Sequence, residues 1–207
     1  MRDFGGLARA TLATWVVAIA TATAAADETL YYSCQSCHES DGSGNEAIGA
    51  PAIAGMNADY VAIQMRKFRD GVRGASIDDL AGRQMSLIAS IFADDAEISA
   101  VADLVESMKK ATPQPTMEAV TGRGAELFEQ CAACHGETGA GNPELQAPAI
   151  AQLNDWYIRS QLMRFRDGTR GVHPDDQSGA QMKAAVTAIS DESIYELSVY
   201  VAALNNE

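Results

Sequence analysis

Cys34, Cys37 and His38 stand together as Cys-Gln-Ser-Cys-His, and Cys131, Cys134 and His135 repeat the pattern as Cys-Ala-Ala-Cys-His. Two thiols at this spacing can add across the two vinyl groups of one porphyrin. The histidine that follows then comes to lie under the iron and binds it through an imidazole nitrogen. The pattern is that of a c-type haem attachment site, present twice, and it uses all 4 cysteines of the chain. Two covalently bound haem c groups are the cofactors expected, with His38 and His135 as axial iron ligands. Other chemistries also use paired cysteines. A zinc ion usually draws on pairs closer in sequence, and zinc does not explain a histidine directly after each pair. A thioredoxin-like redox pair belongs in a βαβ pattern, which is missing. Structural disulfides stay open, because the chain looks exported.

The sixth position on each iron needs a second ligand, and an internal repeat selects it. Shifted by 97 residues, the sequence overlays on itself from the haem motifs onward. Pro51-Ala52-Ile53-Ala54 falls on Pro148-Ala149-Ile150-Ala151, and Phe68-Arg69-Asp70-Gly71 on Phe165-Arg166-Asp167-Gly168. Tyr60, Gln64 and Arg73 fall on Tyr157, Gln161 and Arg170, and the register slips by one before Ile98 meets Ile194. Of the methionines after the leader only Met85 and Met182 coincide, each 47 residues after its histidine. A thioether is a soft donor that favours ferrous iron and raises the potential. Met85 and Met182 are therefore the expected sixth ligands, with Met56 as runner-up in the first unit. His173 is the one histidine outside the motifs; it precedes Pro174 in a polar loop, has Ser76 as its counterpart, and reads as a solvated loop residue. Pro51 and Pro148 are placed to turn a backbone carbonyl onto the ring N–H of the ligating histidine. Tyr60, Phe68, Tyr157 and Phe165 are candidates for the haem edge or for plain core. Arg69, Arg73, Arg166 and Arg170 are candidates for propionate partners or surface salt bridges.

The elements that must position these groups are helical. A short helix from Thr29 to Cys37 leads into the first haem motif, and a polar, Gly-rich loop follows it. Asn57 caps a helix that runs to Asp70, a long loop leads to Met85, and Asp94 or Asp95 caps a last helix with Ile98, Val101, Ala102 and Val105 as its apolar stripe. The second unit repeats this order. Gly124 to Cys134 makes its first helix, Asn154 caps the middle one, and Ser190 starts the last, striped by Ile194, Leu197, Val201 and Leu204. No segment alternates like a strand. The expected domains are 27–110 and 119–207, joined by a linker at 111–118 whose Pro113 and Pro115 favour an extended, semi-rigid path. Residues 1–26 read as a cleavable signal peptide: Arg2 and Arg9, a short apolar run from Leu12 to Ala20, and the small residues Ala24-Ala25-Ala26. No other stretch is long and apolar enough to span a bilayer. The expected location is the periplasm. The formal net charge is −13 over 207 residues, and loss of the leader makes it more negative by one. Such a surface argues against nucleic acid and anionic lipid, and suits either a partner with a basic docking face or simple solubility.

With these motifs placed, the chain resembles the cytochrome c4 family, exported di-haem class I c-type cytochromes. The resemblance rests on the two Cys-x-x-Cys-His motifs, the Pro-x-Ile-Ala and Gln-x-x-x-Phe-Arg-Asp-Gly segments, Met85, Met182 and Ser190-Asp191. Glu39 departs from the glycine usual after the haem histidine, which Gly136 keeps, and Gln152 departs from the glycine kept at Gly55. The resemblance implies an all-α protein of two tandem cytochrome c domains related by pseudo-twofold symmetry, their haem propionate edges facing each other. It implies an electron carrier rather than an enzyme, taking electrons from a quinol–cytochrome c reductase or dehydrogenase and passing them to a terminal oxidase, commonly of the cbb3 type. Any membrane-surface association would come through such a partner. Competing readings are the cytochrome subunit of a flavocytochrome c sulfide dehydrogenase-like complex, a di-haem cytochrome c peroxidase, and a sensor or structural module.

Overall fold

The computed structural model describes residues 30–119 and 122–204. The expected signal peptide and its cleavage point lie outside the described residues. Among the described residues eight α-helices follow one another in two sets of four: α1 (30–38), α2 (Ala58–Arg69), α3 (Leu80–Ala89), α4 (Asp95–Ser107), α5 (Gly124–His135), α6 (Asp155–Asp167), α7 (Gln177–Val186) and α8 (Asp191–Ala203). Among the described residues there is no strand. The isolated bridges Asn45–Ala50 and Asn142–Ala147 each close a single 3-10 turn. None of the described helices is long and apolar enough to cross a membrane.

Helices α2 and α6 pack on α4 and α8, and α5 also lies on α8. The expected stripes carry these contacts. Ile98, Val101, Ala102 and Val105 are buried along α4, and Ile194, Leu197 and Val201 along α8. Each such side chain contributes about 1.5–3 kcal/mol by leaving water. The caps follow the sequence closely. Asn57 accepts from the Tyr60 N–H, Asp94 from those of Ala96 and Glu97, and Ser190 from that of Ser193, each satisfying otherwise orphaned donors.

Two expectations are corrected. Met85 and Met182 do not end long loops, because each sits inside a helix, α3 or α7. Buried Asp79 and Asp176 cap these helices by accepting from the Gly82 and Gly179 N–H groups at 2.8 and 2.9 Å. A Cβ at either glycine would run into the capping carboxylate. Glycine in the first turn is thus required by the cap, and its low helix propensity hides the helix from a reading of the sequence. Asn154 holds the N-cap position of α6, but its side chain caps nothing there. Its Oδ1 accepts instead from the Ala52 N–H at 2.8 Å, across from one unit to the other. The connecting segment is tied to both units: Ala111 donates to the Ala54 carbonyl, and the fully buried Asp155 carboxylate accepts from the N–H groups of Thr116 and Met117 at 2.7 and 2.8 Å.

Asp155→Ala strands these backbone donors, so it should lower stability by about 1–3 kcal/mol and speed proteolysis between 111 and 118. Urea denaturation with limited proteolysis checks this; an unchanged cleavage rate would remove the anchoring role.

Candidate functional site

Each haem motif forms the C-terminal turn of a helix, α1 or α5, so helical spacing sets the cysteines and puts the histidine at the helix end. The chain then folds back. Gly44 N–H bonds to the His38 carbonyl at 3.1 Å, and Ile53 N–H to the Gly42 carbonyl at 2.8 Å. Gly44 has φ +86°, and a Cβ there would collide with the backbone of Pro51 and Ala52. This close return brings the Pro51 carbonyl to 2.8 Å from His38 Nδ1. The equivalent Pro148–His135 distance is 2.9 Å. A carbonyl only accepts, so Nδ1 carries the proton and Nε2 is left with its lone pair free. Both rings are 6% exposed, and burial holds both histidines below their usual pKa, against the smaller pull of the proline carbonyl. Neutral, oriented imidazoles are what an iron ligand requires.

Glu39 takes a positive φ (65°), as Gly136 does (77°) in the second unit. Its side chain accepts from Asn45 Nδ2 at 2.9 Å and its carbonyl from the Tyr31 hydroxyl at 2.9 Å, which holds the loop despite the unfavourable backbone. Gln152 is buried, with Nε2 lacking a partner.

A largely apolar cavity of about 410 Å³ lies beside the first motif. Cys34, Cys37, His38 and Met85 all line it, so the cysteines, the histidine and the repeat-selected methionine converge. Met56 and Met65 also reach the cavity, from the buried core. Tyr60, Phe68 and Arg73 line it from α2 and the loop after it, and Trp156, Tyr157, Gln161 and Arg164 of the other unit complete the wall. In the second unit His135 is buried and Met182 half-buried at matching positions of α5 and α7. Cys134 is exposed and Cys37 partly so, and all four sulfurs are free. Among the described residues no three His, Cys, Asp or Glu side chains group as a metal site would. His173 stands in the turn before α7, its Nδ1 accepting from the Asp175 N–H at 3.2 Å. Ser76 makes the same turn with Asp78, which explains why a serine and a histidine are interchangeable there.

Sequence reasoning missed the wall between the units. Arg73 and Arg170 do not lie on the surface. Arg73 donates to Gln64 Oε1 at 2.7 Å and Gln161 Oε1 at 3.1 Å, while Arg170 donates to Gln161 Oε1 at 2.8 Å and Gln64 Oε1 at 3.1 Å. Each glutamine carbonyl thus takes one N–H from its own unit and one from the other. Arg73 also donates to the Tyr157 hydroxyl at 3.0 Å. Each guanidinium lies over a phenylalanine ring, Phe68 at 4.4 Å and Phe165 at 4.3 Å. Burial and then the nearby Arg73 cation hold Arg170 below its usual pKa. Burial would raise the pKa of Tyr157, but Arg73 and Arg170 outweigh it and bring it down. Outside this ring Lys67 meets Asp176 at 2.6 Å, and Arg164 meets Asp79. These pairs are reciprocal under the 97-residue shift, as an isologous contact demands. Arg69 and Arg166 instead pair with surface aspartates at the ends of their helices. The only sequence signal for the wall was the recurrence of Gln64 and Arg73 as Gln161 and Arg170.

A cytochrome c family profile matches residues 24–109 and 122–205. The chain belongs to the cytochrome c family. Cytochrome c4 of Pseudomonas aeruginosa is 28% identical over 191 residues, 91% of this chain and 92% of that protein. The reduced recombinant cytochrome c4 from Pseudomonas stutzeri shares the fold at TM-score 0.68 and 24% identity, over 86% of this chain and 96% of its own. A thiosulfate dehydrogenase electron acceptor of Stutzerimonas stutzeri (strain A1501) is 33% identical, covering 82% of this chain and 77% of its own. The chain is thus a di-haem cytochrome c of the c4 type, with two tandem cytochrome c domains and two covalently bound haem c groups. The residues fit the group. Nε of Arg73 and Nε of Arg170 are buried without a partner, and Arg73 lines the apolar cavity, where a buried cation calls for the carboxylates that haem carries.

A cation beside the cofactor favours the reduced, less positive state. Arg73→Gln should therefore lower the first haem's potential by tens of millivolts, an effect on the order of 1 kcal/mol, with haem still attached. Spectropotentiometry reads this directly; an unshifted potential would place Arg73 away from the haem charge.

Proposed function

We propose that this cytochrome is a periplasmic one-electron carrier. In this reading Cys34 and Cys37 hold one haem, with His38 and Met85 on its iron. Cys131 and Cys134 hold the other, with His135 and Met182. Residues 1–26 are the signal peptide that exports it, 27–110 and 119–207 its two domains, and 111–118 the connection. The observation that carries the proposal is the convergence of Cys34, Cys37, His38 and Met85 on one cavity whose far wall belongs to the other domain.

Haem supplies the one-electron iron couple. The chain's own residues do the rest. Pro51 and Pro148 fix the imidazoles so that Nε2 points away from the protonated nitrogen. The soft methionine sulfurs raise the potential. Ligands on both sides leave no position for a substrate, which speaks for a carrier and against a peroxidase. The apolar lining keeps water out, and the Arg73–Gln64–Gln161–Arg170 ring joins the two domains with hydrogen bonds that need not change when an electron passes. Small reorganisation of this kind is what outer-sphere transfer needs. Electrons would enter from a quinol–cytochrome c reductase or a dehydrogenase and leave to a terminal acceptor such as a cbb3-type oxidase.

One observation favours a second reading, the cytochrome component of an oxidising complex. The 33% identical relative is by name the electron acceptor of a thiosulfate dehydrogenase. The donor would then be a sulfur-oxidising enzyme, as it would be in a flavocytochrome c sulfide dehydrogenase-like assembly.

Potentiometric titration of the holoprotein, followed by visible spectroscopy, tests the ligands and the role together. Two haems at positive potential are expected, both with the ferric thioether-to-iron charge-transfer band. Met85→Ala and Met182→Ala should each remove about half of that band and lower one potential. A band that survives Met85→Ala intact would pass the first iron to Met56 or Met65. A high-spin haem that reacts with peroxide in the parent would bring the peroxidase reading forward.

A further inference from the structure

The two domains repeat each other inside but not outside. Helix α3 turns Ala81, Gln84, Met85 and Ile88 toward the first haem cavity. Two large apolar side chains stand on its water-facing side, with Arg83 and Gln84 between them: Leu80 is 68% exposed and Leu87, two turns further on, 71%. Ile77 just before the helix and Ile91 just after it are 75% and 59% exposed. At the same positions of the second domain stand Pro174, Gln177, Ala184 and Ala188, which are polar or small. Exposed large aliphatics therefore concentrate on and beside the helix that carries Met85, whereas beside α7 only Val172, 60% exposed in the loop before it, is of this kind among the described residues. Single exposed leucines are ordinary on a protein surface. Four around one helix, absent from an otherwise matching copy, are not accounted for by the shared fold.

We infer that the outer face of α3 is the port through which the first domain exchanges electrons with a redox partner, and that α7 does not serve as one. This rests on the carrier reading above. The occupant follows from charge. Asp78 just before α3 and Asp94 and Glu97 at the start of α4 are exposed, against the one exposed cation of α3, Arg83, and the chain carries a formal −13. A second copy would bring the same acidic rim and the same net charge against it. The matching partner is a protein with an apolar contact face rimmed by lysine and arginine. Long-range attraction steers it in, and the leucines and isoleucines then make a small dry centre that releases readily after transfer. One electron crosses, with no bond made or broken. Docking over α3 puts the partner one helix away from the cavity that Met85 lines.

Zinc-substituted mitochondrial cytochrome c, a strongly basic protein, serves as the probe. Its photoexcited porphyrin gives one electron to the ferric holoprotein and recovers it afterwards, and the second-order quenching rate reports docking. Leu87→Asp with Ile91→Asp should slow quenching at least tenfold, and the milder Leu87→Ser with Ile91→Ser should slow it less. Ala184→Asp with Ala188→Asp adds the same charge to α7 and should leave the rate within twofold. Added acid alone would speed the encounter with a basic probe, so a slower rate isolates the apolar contact. Haem content, the charge-transfer band and both potentials are checked in every variant. An undiminished rate in the α3 variants, or an equal loss in the α7 variant, overturns the port. So does a parent that sediments as a dimer and becomes monomeric on Leu87→Asp with Ile91→Asp. A parent that does not quench at all overturns the carrier reading itself, while quenching by the parent with no effect of α3 overturns only the port.

Discussion

Two guanidinium groups of like charge meet in the wall between the domains, and most of the molecule is arranged to make that tolerable. In a buried site their repulsion is not screened by water. The chain answers with the carbonyls of Gln64 and Gln161, each shared by both arginines, with the Tyr157 hydroxyl, and with the faces of Phe68 and Phe165. None of these is an anion, and both Nε groups still lack a partner. Domain association and the cavity wall are therefore linked: Arg73, which bonds to Gln161 and Tyr157 of the other half, also lines the cavity.

The same economy governs the helices that bear the methionines. Asp79 caps α3 through Gly82 and also meets Arg164 of the other domain, and Asp176 caps α7 through Gly179 and meets Lys67. The placement of Met85 and Met182 is thus tied to the opposite domain. Removing either aspartate would loosen a helix start and a domain contact at once, because one buried carboxylate serves both. Each motif histidine, by contrast, is held by a proline carbonyl within its own domain. The histidines are set locally, while the helices that bear the methionines depend on the pair of domains. Against this symmetric interior, the exposed leucines and isoleucines on and beside α3, with polar or small residues at the matching positions of the second domain, make the two halves unequal toward partners.

The parts legible in the sequence were those that depend on neighbours along the chain. Haem attachment needs a fixed spacing of thiols and imidazole, so Cys34, Cys37, His38 and their copies declared themselves. Caps such as Asn57, Asp94 and Ser190 act within one turn, and the stripes of α4 and α8 follow helical periodicity, so these too were readable. The repeat singled out Met85 and Met182 and placed Pro51 and Pro148. Helices α3 and α7 were not readable, because an early glycine forced by the Asp79 and Asp176 caps looks like a loop signal until the carboxylate is seen against it. Nor was the role of Arg73 and Arg170, which the sequence left equally suited to propionates or to surface salt bridges. What brings Arg73 to Gln161, Asn154 to Ala52 and Asp155 to the connecting segment is the packing of one domain on the other. Those contacts span residues far apart in the chain, and neither spacing nor periodicity encodes a partner that only the tertiary structure brings near.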